Sequence, residues 1–141
     1  MPMTRLLAVF AGFIVVSLLV VGCADSSEET AGGPGVVFGR GSIPDTVPDS
    51  FPIPDEAVVG GTLVDTNRGL TELILTFPAA TDAVATYYVE NLPQRGYEIT
   101  SSDGTDGEWA LDFFGEGIDG VIRIKTGGNG VASATVRLTD A

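Results

Sequence analysis

The 22 residues IDGVIRIKTGGNGVASATVRLT, Ile118 to Thr139, decide the fold class. Gly120, Ile122 and Ile124 point to one side of an extended chain, with Val121, Arg123 and Lys125 on the other. After Gly127-Gly128-Asn129-Gly130 the same alternation returns, with Ala132, Ala134, Val136 and Leu138 opposite Ser133, Thr135 and Arg137. Side chains alternate across a strand with period two, and a Gly/Asn-rich turn between two such runs is the signature of a β-hairpin. Each strand therefore has an apolar and a polar face, as expected of an antiparallel sheet covered on one side.

Working towards the amino terminus, Trp109, Leu111 and Phe113 alternate with Ala110, Asp112 and Phe114, so Glu108 to Phe114 reads as a strand with Trp109 in the core. Asp103-Gly104-Thr105-Asp106-Gly107 is a turn, and Tyr97 and Ile99 share one side of a further strand, Tyr97 to Ser101. Before it the period changes. Val84, Tyr87, Tyr88, Asn91 and Leu92 recur at the spacing of an amphipathic helix with Thr86 and Glu90 outward. Thr81 is its expected N-cap, Asp82 suits the positive end of the helix dipole, and Pro93 and Gly96 are expected to end it. Ala57 to Asp65 and Leu70 to Phe77, around Thr66-Asn67-Arg68-Gly69, form another hairpin with Leu73, Leu75 and Phe77 on one face. The order is strand, strand, helix, four strands. It predicts an α+β domain: an antiparallel sheet of about five to six short strands with one helix packed on one face.

Four prolines (Pro44, Pro48, Pro52, Pro54) between Ile43 and Asp55 favour an extended, polyproline-like lead-in, with Phe51 and Ile53 against the domain. Residues 24–42 are polar, acidic and Gly-rich, which predicts a flexible tether whose root-mean-square reach is about 25 Å. Val36-Val37-Phe38 interrupts it and reads as a short apolar patch in a loop, with docking on the domain or on a partner as the alternative.

The first 23 residues carry a different signal. A short head with Arg5 precedes an uncharged apolar run from Leu6 to Val21, which ends in a small residue, Gly22, as secretory signal peptides do. Val20-Val21-Gly22-Cys23 resembles the lipobox of bacterial lipoproteins, with Val20 where leucine is commonest. The resemblance implies a diacylglyceryl thioether on Cys23, cleavage between Gly22 and Cys23, and often a further acyl chain on the new amino terminus. Two chains hold a protein on a bilayer stably where one does not. The division is then a signal peptide at 1–22, a lipidated cysteine and tether at 23–42, and one domain at 43–141. An uncleaved transmembrane helix over Leu6 to Ala24 is the alternative. The proline-rich lead-in, hairpin, helix and further strands also resemble small actinobacterial-type envelope lipoproteins of unassigned function. That resemblance supports the fold, while the lipobox resemblance implies a cell-membrane location facing the extracytoplasmic side.

Composition narrows the chemistry. There is no histidine, so the commonest general base and metal ligand are missing; the one cysteine is Cys23, and Lys125, beside Arg123 on a strand, is the only lysine. Residues 43–141 hold 16 acidic against 5 basic groups, a field that repels nucleic acid and suits solubility or cationic partners. No nucleotide-binding or nucleophile-elbow motif occurs, and no cofactor is expected. Asp112, Glu116 and Asp119 around one turn are the candidates for carboxylate chemistry of the glycosidase type. Asp103, Asp106 and Glu108 are candidates for calcium, although their spacing is not that of an EF-hand loop. Tyr87-Tyr88 is a possible ligand platform, weighed against ordinary core packing with the hydroxyls near the rim. The expectation is a lipid-anchored, non-catalytic binding or accessory domain for an envelope protein, wall polymer or small ligand, with a carboxylate-based hydrolase of envelope glycans as the alternative. Intact-mass measurement of membrane-extracted protein should find an amino terminus at Cys23 carrying diacylglycerol; an unmodified Cys23 would remove the lipoprotein reading.

Overall fold

The computed structural model describes residues 30–141; the leader, the cleavage site and Cys23 lie outside the described residues. Eight antiparallel strands form one sheet: β1 (Thr30–Gly33), β2 (Val36–Arg40), β3 (Val58–Asp65), β4 (Leu70–Phe77), β5 (Glu98–Thr105), β6 (Glu108–Gly115), β7 (Ile118–Thr126) and β8 (Ala132–Asp140). Helix α1 (Thr81–Gln94) connects β4 to β5. The spatial order is β1-β2-β3-β4-β8-β7-β6-β5. Two four-stranded meanders are thus joined by the pairing of β4 with β8, from Leu70↔Thr139 to Phe77↔Ala132.

The α+β class holds, but the sheet has eight strands where five to six were expected. The additional two come from the segment read as tether. Val36-Val37-Phe38 belongs to β2 and pairs with Leu63 to Asp65, and Thr30 to Gly33 folds back on β2. A domain boundary at Ile43 therefore falls too late. Gly33 and Gly35, with φ of 138° and 79°, supply the left-handed backbone of a tight turn that β-carbon-bearing residues resist. Glycines that suggested looseness make the reversal instead. With the sheet starting at Thr30, residues 24–29 are all that separates it from Cys23, a span of no more than about 25 Å when fully extended.

One face of the sheet is buried. Leu73, Leu75 and Phe77 of β4 meet Ala132, Ala134, Val136 and Leu138 of β8, followed by Ile118, Ile122 and Ile124 of β7 and Leu111 and Phe113 of β6. Helix α1 lies across β5 to β8 with Val84, Ala85, Tyr88 and Leu92 inward. The small side chains of Ala132 and Ala134, both fully buried, leave room for it.

Two local expectations about the helix change. Thr81 is not the N-cap: it is buried in the first turn, Ala80 holds the cap position, and no side chain caps the end. Pro93 does not stop the helix: it lies inside it, one residue before the end at Gln94. Gly96, at φ 91°, makes the stop: Gly96 N–H donates to Pro93 O and Tyr97 N–H to Leu92 O, a Schellman closure.

The lead-in also departs from an extended strand. Val47 N–H donates to Pro44 O, Phe51 N–H to Pro48 O and Ala57 N–H to Pro54 O, so the prolines open successive turns. The turns drop Val47 and Phe51 onto the sheet beside α1. Phe51 packs among Tyr88, Tyr97 and Phe113 with ring centroids 6.1, 6.2 and 5.9 Å away. Hydrogen bonds Thr46–Thr71 (2.6 Å) and Ser50–Tyr97 (2.8 Å) fasten it.

Trp109 is half-buried, at the edge of the core instead of inside it. Its ring covers Gly104 across the β5–β6 pair, and its indole N–H donates to the Asp82 carboxylate at 2.7 Å. Asp82 thereby ties the start of α1 to β6. On β7, a β-carbon at Gly120 would run into the Phe113 ring. Gly120→Val should overpack this layer and cost about 1–3 kcal/mol of unfolding free energy in urea melts; unchanged stability would show that the layer has slack.

Candidate binding face

The sheet face opposite α1 carries no covering element among the described residues. Register sets its pattern. Row by row from β4 to β6 it presents Leu70, Thr139, Asp119 and Phe114; then Glu72, Arg137, Val121 and Asp112; then Ile74, Thr135, Arg123 and Ala110. Three of the five basic residues of 43–141, Arg123, Lys125 and Arg137, stand on β7 and β8 of this one face.

Two of them are held across strands. Arg137 donates from Nε and Nη2 to the Glu72 carboxylate at 3.2 and 3.0 Å, and Lys125 lies 3.5 Å from Glu108. These pairs are largely solvated, so each adds at most about 1 kcal/mol, and their main effect is to fix where the cations sit. Arg123, Asp112 and Asp119 form no ion pair among the described residues.

A groove of about 310 Å³ runs over β6 to β8, lined by Asp112, Phe114, Asp119, Val121, Arg137 and Thr139. It adjoins a smaller one of about 110 Å³ formed by Val121, Arg123, Thr135 and Arg137. Phe114 is 43% exposed at its rim. Over β2 to β4 the same face carries exposed Phe38 and Ile74 beside Leu63, Arg40 and Glu72 in a groove of about 340 Å³.

The carboxylates expected to cluster are divided. Asp112 and Asp119 share the groove as diagonal neighbours on β6 and β7, a relation that places α-carbons about 7–8 Å apart. Glu116 is not with them: at φ 52° it sits in the β6–β7 turn, its carboxylate beside Gly96 at the far end of α1. The calcium candidates do not converge either. Glu108 faces Lys125, Asp103 accepts from the Ser101 hydroxyl at 2.9 Å, and no three such groups among the described residues are placed to hold one ion.

The tyrosine pair is divided by depth. Tyr87 is half-buried and lines a second cavity of about 310 Å³ with Pro54, Phe77, Pro78 and Val84 beside the start of α1. Tyr88 is fully buried against Tyr87, Phe51 and Phe77, and its hydroxyl has no hydrogen-bond partner among the described residues, contrary to the expected rim position. Burial, with a smaller contribution from Tyr87, pushes that hydroxyl well above the ordinary phenol range. Burial also raises Tyr97, and the Ser50 hydrogen bond opposes it.

Sequence reasoning found most side chains of the open face but not their convergence, which depends on which strands neighbour one another. Compared with protein-family models, curated proteins and solved structures, the chain matches none. Among the described residues, no helix is long and apolar enough to cross a membrane.

Tyr88 gives a pH test. An unfolded phenol loses its proton near pH 10, whereas the buried one keeps it to higher pH, so the native state holds more protons there and stability falls as pH rises past about 10. Tyr88→Phe should match or exceed the parent at neutral pH, by about 1 kcal/mol, because an unpartnered buried hydroxyl is removed. It should also lose less stability between about pH 10 and 11 in urea melts; a large loss at neutral pH would mean that the hydroxyl has a partner.

Proposed function

We propose that the chain is a lipid-anchored lipoprotein of the cell envelope whose domain acts non-catalytically, binding a partner or ligand on the sheet face opposite α1. The anchor rests on Cys23 directly after Val20-Val21-Gly22 at the end of the apolar leader. The binding role rests on one observation above all: the face opposite α1 gathers Asp112, Asp119 and Arg123, none ion-paired among the described residues, around two adjoining grooves. Charges of both signs left without an internal partner are free to pair with a ligand, and the paired strands β6 and β7 fix the backbone positions from which they reach it. The two-chain anchor and a span of at most about 25 Å would keep the β1 edge of the sheet near the membrane surface.

A second reading is favoured by the shared placement of Asp112 and Asp119. Paired carboxylates at about 6.5–9.5 Å are the arrangement of inverting glycosidases, so a hydrolase of envelope glycans using these two groups is the alternative. Without Glu116 it has no third carboxylate in the groove.

Crosslinking on intact membranes followed by detergent extraction tests both. Arg123→Gln and Asp119→Asn should each abolish a crosslinked species that the parent chain forms, while Cys23→Ser should release the protein into the soluble fraction. Crosslinking indifferent to both face variants would remove the binding reading. Glycan cleavage by the parent that is lost in Asp112→Asn would establish the hydrolase in its place.

A further inference from the structure

The four charges around Val121 form a pattern. Asp112 and Arg137 flank Val121 directly on β6 and β8, while Asp119 and Arg123 lie two residues away from it along β7 on either side. Asp112 and Asp119 therefore make one acidic corner, and Arg123 and Arg137 make one basic corner with the Thr135 hydroxyl beside it. The corners are separated by an apolar step, Val121. Strand spacing and rise put the centres of the two corners about 8 Å apart.

Of the four charges only Arg137 is met by a neighbour among the described residues, Glu72 on β4. No ion pair among the described residues links the acidic corner to the basic one; Arg137 is turned to Glu72 on the opposite side, and Arg123 has no acidic partner. The grooves over the two corners are continuous through Val121 and Arg137, which line both.

We infer that this face binds a short peptide with both ends free, its ammonium at Asp112 and Asp119 and its terminal carboxylate at Arg123 and Arg137. The lengths select this ligand. An extended chain advances about 3.3 Å per residue, so the charged ends of a dipeptide or tripeptide bridge the interval where a single amino acid falls short. Arg123 can meet a carboxylate through paired N–H donors, Arg137 adds the N–H groups that Glu72 leaves free, and the aspartates accept the ammonium protons, so each end makes charge-assisted hydrogen bonds. Val121 lies under the middle of the peptide, and Phe114 at the rim is positioned for a side chain. The charge of the domain adds selectivity: with 16 acidic against 5 basic residues in 43–141 it repels polyanions, but a zwitterion has no net charge to repel.

This deepens the binding-face reading and rests on it, but does not need the lipid anchor. The full chain in detergent would be titrated with Ala-Ala-Ala, with its N-acetylated form and with its C-amidated form, and followed by the backbone amide signals of β6 to β8. The uncapped peptide should give saturable shifts confined to those strands, and either cap should weaken binding about tenfold or more, the value of one charge-assisted contact. Arg123→Gln should bind the uncapped and amidated peptides equally, and Asp119→Asn the uncapped and acetylated ones, with signal dispersion of the folded domain retained. Equal affinity for capped and uncapped peptides, or no saturable shift, overturns the peptide assignment. If the peptide gives no shift while the same variants still abolish membrane crosslinking, the ligand class fails and the binding face stands.

Discussion

The pairing of β4 with β8 is the constraint on which the rest of the structure depends. Without it the chain is two four-stranded meanders, each with its own edges; with it, eight consecutive register pairs make one sheet. The contact joins residues some sixty positions apart in sequence, so its loop-closure cost must be met by burial elsewhere. Leu73, Leu75 and Phe77 opposite Val136, Ala134 and Ala132 provide that burial, all within 3% of full occlusion. The two alanines matter as much as the large residues. They leave height for α1, and α1 has to start where β4 ends in mid-sheet and reach β5 at the edge.

A sheet this wide with one helix cannot cover both faces. Helix α1 reaches β5 to β8, and the turns of the lead-in set Val47 and Phe51 beside it, so the chain's apolar cover is spent on one side. The other side must live in water, which accounts for cross-strand pairs such as Glu72–Arg137 and Glu108–Lys125. The acidic excess acts in the same direction by keeping two copies from stacking face to face. Among the described residues the same surface is therefore available for recognition without any covering element having to move.

Legibility in the sequence followed the strength of each periodic signal. The Ile118 to Thr139 hairpin, the Leu73-Leu75-Phe77 face and the Val84-Tyr88-Leu92 stripe were readable because each alternates cleanly and ends in turn residues. Strands β1 and β2 were not: four and five residues long and joined by Gly33-Pro34-Gly35, they have the composition of a linker, and only pairing with β3 reveals them. Thr81 as N-cap failed because its side chain is buried, a tertiary effect that overrides local preference. Of the candidate site, Asp112 and Asp119 were visible as a pair, but Arg137 joined them only with the register of the β7–β8 hairpin, which sets it opposite Val121, and Glu116 left them because its turn points the other way.

The acidity of the domain and the two arginines at its centre look contradictory until distance is considered. At physiological salt the Debye length is about 8 Å, so the net charge acts on what approaches from afar while individual side chains act on what has arrived. A polyanion meets the first effect before the second and is turned away. A polycation is drawn to many acidic positions with no preference for Val121. A dipolar molecule feels little net force at long range and is selected only at contact, where two corners of opposite sign about 8 Å apart orient it end to end. Global charge and local pattern thus work as successive filters, and the pair favours ligands whose own charges cancel.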